Sequence, residues 1–176
     1  SLSTGEHTIT AKYSWSTPYS MTGNPQVVCS NAITVTNAND SGAGSLREAM
    51  GNLCDGGTID FDGDYTITLA SALPDITTEM TITGTGHSIT IDGASQYRIF
   101  DIRSGGDLDL AQLTLQNGRG EYFGIGTFGG AIFNYQGQVT GSQLHFTGNQ
   151  SANVEPKGAA ITNFTGTMDI SNSSFC

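Results

Sequence analysis

Basic residues are scarce in this sequence. The 176-residue chain has six Lys and Arg against sixteen Asp and Glu, a formal net charge of −10. Nucleic-acid binding is excluded on that ground, because phosphate contacts need a basic face. An anionic membrane surface is a poor partner for the same reason. There is no apolar run of about 18 residues, so no segment is expected to span a bilayer as a helix. No signal-peptide pattern is visible either, and the chain is expected to be a mature or trimmed form. Long runs of Ala, Leu, Glu and Lys are missing, which argues against a helical protein. Charged residues make up only 12 % of the chain and apolar residues recur throughout, which argues against disorder.

What the sequence does have is 24 glycines and many Thr-Ile-Thr alternations. Both point to an all-β fold of short strands and tight corners. Three cysteines occur: Cys29, Cys54 and Cys176. An odd number in a chain of extracellular character implies one bridge and one leftover thiol. Cys29–Cys54 is the preferred disulfide, and Cys176 is the candidate for an intermolecular bond. The alternative is that all three are free, small, buried side chains.

Residues 1–31 read as an N-terminal strand extension and residues 32–176 as the main domain. In the first part Thr8–Ser14 alternates like a strand, and Pro18, Gly23, Asn24 and Pro25 then break the chain. A strand is expected over Ala32–Asn37, then a turn over Asn39–Gly44 and a short helix over Ser45–Leu53. Ser45 and Glu48 have capping-box spacing, and Leu46, Ala49, Met50 and Leu53 make one apolar stripe. Such a helix fits over the open end of a coil. Further strands are expected at 58–61, 65–69, 80–83, 88–91, 98–102, 108–110 and 113–115.

An internal repeat organises the remainder. Gly129–Gly137 superposes on Gly158–Gly166 at an offset of 29 residues. Gly129/Gly158, Ala131/Ala160, Ile132/Ile161, Asn134/Asn163, Ser142/Ser171 and Phe146/Phe175 are identical pairs. One such period is one coil of a right-handed parallel β-helix, a β-solenoid whose coils bury their inward side chains only by stacking. Residues 119–129 interrupt the rhythm and read as an inserted loop. Its aromatics Tyr122, Phe123 and Phe128 are candidates to grip a sugar or a protein, or to pack down on the coil.

Three resemblances follow from these stretches. Val35–Ala49 resembles the entry segment of bacterial β-helical surface proteins of the CSLREA type, with Gly44 where that name has its first Cys. Gly129-Gly130-Ala131-Ile132 and Phe146-Thr-Gly-Asn149 resemble the GGAI and FxxN repeats of polymorphic outer-membrane proteins. Leu2–Ser14 is similar to the closing strands of a bacterial immunoglobulin-like repeat. The resemblance implies a secreted or cell-surface structural or adhesive β-helix, with no shared catalytic residues. Within it Gly129 and Gly130 permit a corner, Ile132 and Phe146 fill the core column, and Asn149 ladders or caps a turn.

Chemical constellations are sparse. Asp55, Asp60, Asp62 and Asp64 would suit Ca²⁺ if they shared a face, although the EF-hand pattern is absent. Asp107 and Asp109, with Arg98 and Arg103 nearby, are the weak case for a lyase site. His7, His87 and His145 are isolated, and Gly84-Thr-Gly86 precedes no helix, so no dinucleotide fingerprint exists. Asn39, Asn149, Asn163 and Asn172 head N-x-[Ser/Thr] sequons. The expectation is a protein without catalytic activity, cofactor or resident metal. Its partner is another copy of itself, joined head to tail in a filament, or a host or glycan surface. A carbohydrate-active enzyme of polysaccharide-lyase type, or a glycan-binding module, is the alternative.

Overall fold

The computed structural model describes residues 5–7, 26–122, 127–151 and 156–176. The strand expected over 8–14 lies outside them. Strand β1 (Gly5–His7) pairs antiparallel with β2 (Gln26–Val28). Then the chain begins to wind. β3 (Ser30–Val35) leads through a turn to α1 (Leu46–Asn52), and β4 (Leu53–Phe61) returns beside β3 in parallel. β5 (Tyr65–Thr68), β6 (Glu79–Thr83), β7 (Ile89–Asp92), β8 (Phe100–Ile102), β9 (Asp107–Ala111) and β10 (Leu113–Gln116) continue the coil. β11 (Glu121–Tyr122) and β12 (Thr127–Phe128) form an antiparallel pair in the insertion. β13 (Ile132–Tyr135), β14 (Gln138–Ser142) and β15 (His145–Thr147) make the next coil. β16 (Pro156–Lys157), β17 (Ile161–Phe164), β18 (Thr167–Ser171) and β19 (Ser174–Phe175) close the described chain.

These strands stack into a parallel β-solenoid of about five turns. Its long face runs β3-β4-β6-β9-β14-β18, its second β5-β7-β10-β15-β19, and its third β8-β13-β17. Successive coils differ in length. Asp107 to Gln138 is 31 residues and Gln138 to Thr167 is 29, whereas Asp92 to Gln116 is 24. The 29-residue repeat therefore describes one coil, and Ile132 lies directly beside Ile161 as that repeat requires.

Alternation explains the core. On the long face Met80, Leu108, Val139 and Met168 form one inward column, and Ile33, Ile59, Ile82 and Leu110 form another. Ile67, Ile91, Leu115, Phe146 and Phe175 make the column of the second face. One rung of the second long-face column is Gly141, whose missing side chain is filled by Leu144 from its own coil and Ile170 from the next. The inner strands of the long and second faces, such as β6, β7, β9 and β10, bury every second residue, and the backbone groups of one rung pair with the next.

Two of three stacked corners carry glutamine where glycine or asparagine is expected. Between the long and second faces the chain turns on single residues with positive φ. Gln112 (φ 54°), Gln143 (φ 54°) and Asn172 (φ 48°) are stacked one above another through Gln112 N–H to Ser142 O (3.0 Å) and Gln143 N–H to Ser171 O (3.2 Å). A left-handed conformation costs a non-glycine residue roughly 1–2 kcal/mol, so the stack imposes it rather than the residue choosing it.

α1 seals the start of the column with Leu46, Ala49 and Met50 buried. Ser45 Oγ accepts from the Glu48 N–H at 3.2 Å. The Glu48 carboxylate reaches back one residue further than the capping box predicts, to the Gly44 N–H at 2.7 Å. The reason is that the Ser45 N–H is already used by the Gly42 carbonyl. The expected helix also ends one residue early, because Leu53 pairs with Ser30 and opens β4. At that junction Cys29 and Cys54 are disulfide-bonded, with Cα atoms 4.9 Å apart, and Cys176 is free and exposed.

Candidate functional site

The insertion sits over the third face, and a buried ion cluster holds it there. Arg98 is 5 % exposed. Its Nε donates to Gly129 O at 3.0 Å and its Nη2 to Phe128 O at 3.1 Å. Its Nη1 is paired with Asp101 Oδ2. Arg103 approaches the same carboxylate from the other side, Nε to Oδ1 and Nη2 to Oδ2, both at 2.8 Å. Both guanidiniums also lie over the ring of Phe133, at 4.8 and 5.7 Å from its centroid. Burial pushes the Asp101 carboxyl above the usual carboxylate range, although Arg98 and Arg103 pull in the opposite direction.

The lyase-like pairing considered from sequence is therefore corrected. Arg98 and Arg103 meet Asp101, not Asp107 and Asp109. Asp107 accepts from Gln138 Nε2 at 2.6 Å and Asp109 from Thr140 Oγ1 at 2.9 Å, both as ladders along the long face. Strand alternation carried a signal for this. In Arg98-Ile-Phe-Asp-Ile-Arg103 the apolar Phe100 and Ile102 point inward, which turns Asp101 and Arg103 outward together.

The acidic run is dispersed in the same way. Asp55 accepts from the Glu79 N–H, Asp62 from the Tyr65 hydroxyl, and Asp64 from the Ser88 N–H. Asp60 stands beside Thr34 in the long-face register. The hydrogen bond to Asp62 holds the Tyr65 phenol above its usual range. Among the described residues no three His, Cys, Asp or Glu side chains converge as a metal site.

Of the insertion aromatics, Phe123 lies outside the described residues and Tyr122 is placed as a backbone position in β11. Phe128 is not presented to a ligand. It is 3 % exposed, stacked on Phe133 at 5.5 Å and edge-on to Phe164 at 6.2 Å. The apolar contact available below it outweighs any gain from solvent exposure of a phenyl ring.

The repeat residues are built into the coil. A Cβ at Gly130 would stand 2.5 to 2.8 Å from the carbonyls of Gly118, Gln150 and Ala159, so only glycine lets these backbones meet. Ala131, Ile132 and Phe146 are buried. Asn149 accepts from the Gly118 N–H and donates to the Leu115 carbonyl, both at 2.8 Å, and so bridges two coils. Asn134 donates to Asn163 Oδ1 at 2.9 Å across the next pair.

Sequence reading missed one clamp. Arg47 pairs with Asp40 at 2.6 Å and donates to the Ser71 and Ala72 carbonyls at 2.9 and 2.5 Å. Asp40 also accepts from the Ala70 N–H at 2.9 Å. The clamp ties the turn before α1 to the segment after β5. Burial opposes the charge on Asp40, but Arg47 and the Ala70 N–H overcome it and hold the carboxyl below its usual range. The contact spans about one coil, so no local pattern announced it.

No protein-family model matches the chain, and neither a curated protein nor a solved structure matches it. The parallel β-solenoid stands on the geometry alone.

Proposed function

We propose that the chain is a rod-like structural or adhesive element of a secreted or cell-surface protein, and that copies of it stack head to tail into an extracellular filament. The observation that carries the rod is the parallel stack itself, coil upon coil around one apolar column. Phe175 is 57 % exposed while stacked on Phe146 at 4.6 Å, and Ile161, Met168 and Ile170 beside it are only partly covered. A parallel sheet edge with an apolar column accepts another rung, from a second copy or from further sequence of the same protein. At the opposite end of the long face β3 is an edge strand among the described residues, but α1 covers the apolar column there.

The Cys29–Cys54 bridge supports an oxidising compartment, such as the cell exterior. The Gly129–Ile132 and Phe146–Asn149 motifs support kinship with β-helical surface proteins of bacteria, since their residues serve the coil itself. A non-catalytic role is supported by the partners of Asp55, Asp62, Asp64, Asp107, Asp109, Arg98 and Arg103, which tie these groups to their own coil or the neighbouring one. Light scattering and electron microscopy of the purified chain, with and without reductant, test the filament. The expected result is concentration-dependent rods that need no Cys176 crosslink, because across a head-to-tail junction Cys176 meets an end whose two cysteines are already bonded to each other. A strictly monomeric chain at high concentration removes the filament and leaves the rod.

A further inference from the structure

The second face carries a groove that none of the roles above uses. It is shallow and open to solvent, with a volume of about 440 Å³, and crosses three adjacent rungs. Its polar lining is His87, Gln112, Thr114, Gln143 and His145, and Ile89 and Leu113 border it from the core, where their side chains are buried. Three coils place them. Thr114 is registered with Thr90 below and His145 above. Gln112 and Gln143 are stacked corner residues, and Gln112 Nε2 donates to Gln143 Oε1 at 2.9 Å.

That one bond uses half of each amide. Gln112 Oε1 remains an acceptor, and Gln143 Nε2 remains a donor of two hydrogens. His145 is oriented by Nδ1, 2.6 Å from Ser174 Oγ, which leaves its Nε2 directed elsewhere. His87 Nδ1 lies 3.5 Å from Asp64 Oδ1. The groove thus offers an amide acceptor and an amide donor from adjacent rungs, whose backbones stand about 4.8 Å apart.

We propose that this groove binds a neutral glycan chain. Neutral hydroxyl groups both donate and accept, and vicinal pairs match an amide acceptor beside an amide donor. The groove is open along its length, which suits a chain laid across the surface and not an engulfed small molecule. A chain net charge of −10, with Asp64 at the groove's edge, disfavours sulfated or uronate chains. Continuity across three rungs favours an extended chain over a single sugar. This inference rests on the adhesive reading and gives that adhesion a ligand class.

The test uses the full chain on an array of neutral, sulfated and sialylated glycans, followed by calorimetry with the best neutral oligosaccharide. Gln112→Asn/Gln143→Asn is the informative variant, because Asn tolerates positive φ and withdraws both amides. His145→Ala is the second. Melting curves and circular dichroism establish that each variant stays folded. Neutral glycan retention, with Kd raised at least tenfold in the folded variants, is the expected result. Retention of charged glycans only, no glycan retention, or an unchanged Kd in the folded variants overturns it. Light scattering on the same samples reads filament formation separately, so a chain that assembles without binding sugar rejects the groove and spares the rod.

Discussion

Two aspartates show how position in the coil decides what a carboxylate does. Asp40, clamped by Arg47, has its pKa held below the ordinary value of 3.8. Its contribution to stability is therefore present above that value and lost as pH falls through the depressed folded one. We expect Asp40→Asn to lower the urea midpoint at neutral pH, with the gap to the unaltered chain closing under acid conditions. A gap constant with pH would show that charge on Asp40 is not what matters. Asp101 runs the other way. Its folded pKa is raised, so the associated stabilisation holds below the unfolded value and fades as pH rises through the folded one. Removing Asp101 is nevertheless costly at neutral pH, because Arg98 would remain buried without a counter-charge. Asp101→Ala should destabilise by about 3–5 kcal/mol in denaturant titration, and protease should then cut the insertion over 119–129 first. A loss under about 1 kcal/mol would place the cluster among weak surface pairs.

At the scale of elements, the strands and their period were legible because alternation with glycine-punctuated corners is a local signal. The pairing of Ile132 with Ile161 could be read from the 29-residue offset, and the helix from Ser45 and Glu48. Three features were not legible. The long β4 extends back to Leu53 because it must pair with Ser30, a contact made across α1. The left-handed corners at Gln112 and Gln143 have no residue preference to announce them. The insertion is fastened by Arg98 through carbonyls more than 20 residues away, with Gly129 O 31 residues on. The sites weighed from sequence dissolved for a related reason: neighbours along the chain, such as Asp107 and Asp109, face partners one coil away. The disulfide belongs to this scale as well. It closes a 25-residue separation between the lead-in to β3 and the start of β4. Loop-closure entropy gives such a bridge about 3–4 kcal/mol. Cys29→Ser/Cys54→Ser should lose about that much, read by equilibrium unfolding, while circular dichroism keeps its β signature. An unchanged midpoint would mean that stacking of β3 on β4 suffices to hold that end.

For the whole molecule, a solenoid has no single centre. Each coil touches only its neighbours, so stability is close to a sum of coil terms and interface terms. The two ends of this rod are unequal. One is covered by α1 and tied by the disulfide, and the other shows Phe175 and the half-covered Ile161, Met168 and Ile170. Local opening should therefore run inward from the last rung. Hydrogen exchange ought to be fastest for amides of β18 and β19, such as Thr167, which donates to Gly137 O, and Ser174, which donates to Leu144 O. It should be slowest for β9 and β10, which have partners on both sides. If copies stack on that edge, raising protein concentration will slow exchange in β18 and β19 by the fraction assembled, while β9 and β10 change little. Uniform protection along the rod at all concentrations would show that the last rung is already covered, and the edge would then cease to be a reason for filament growth.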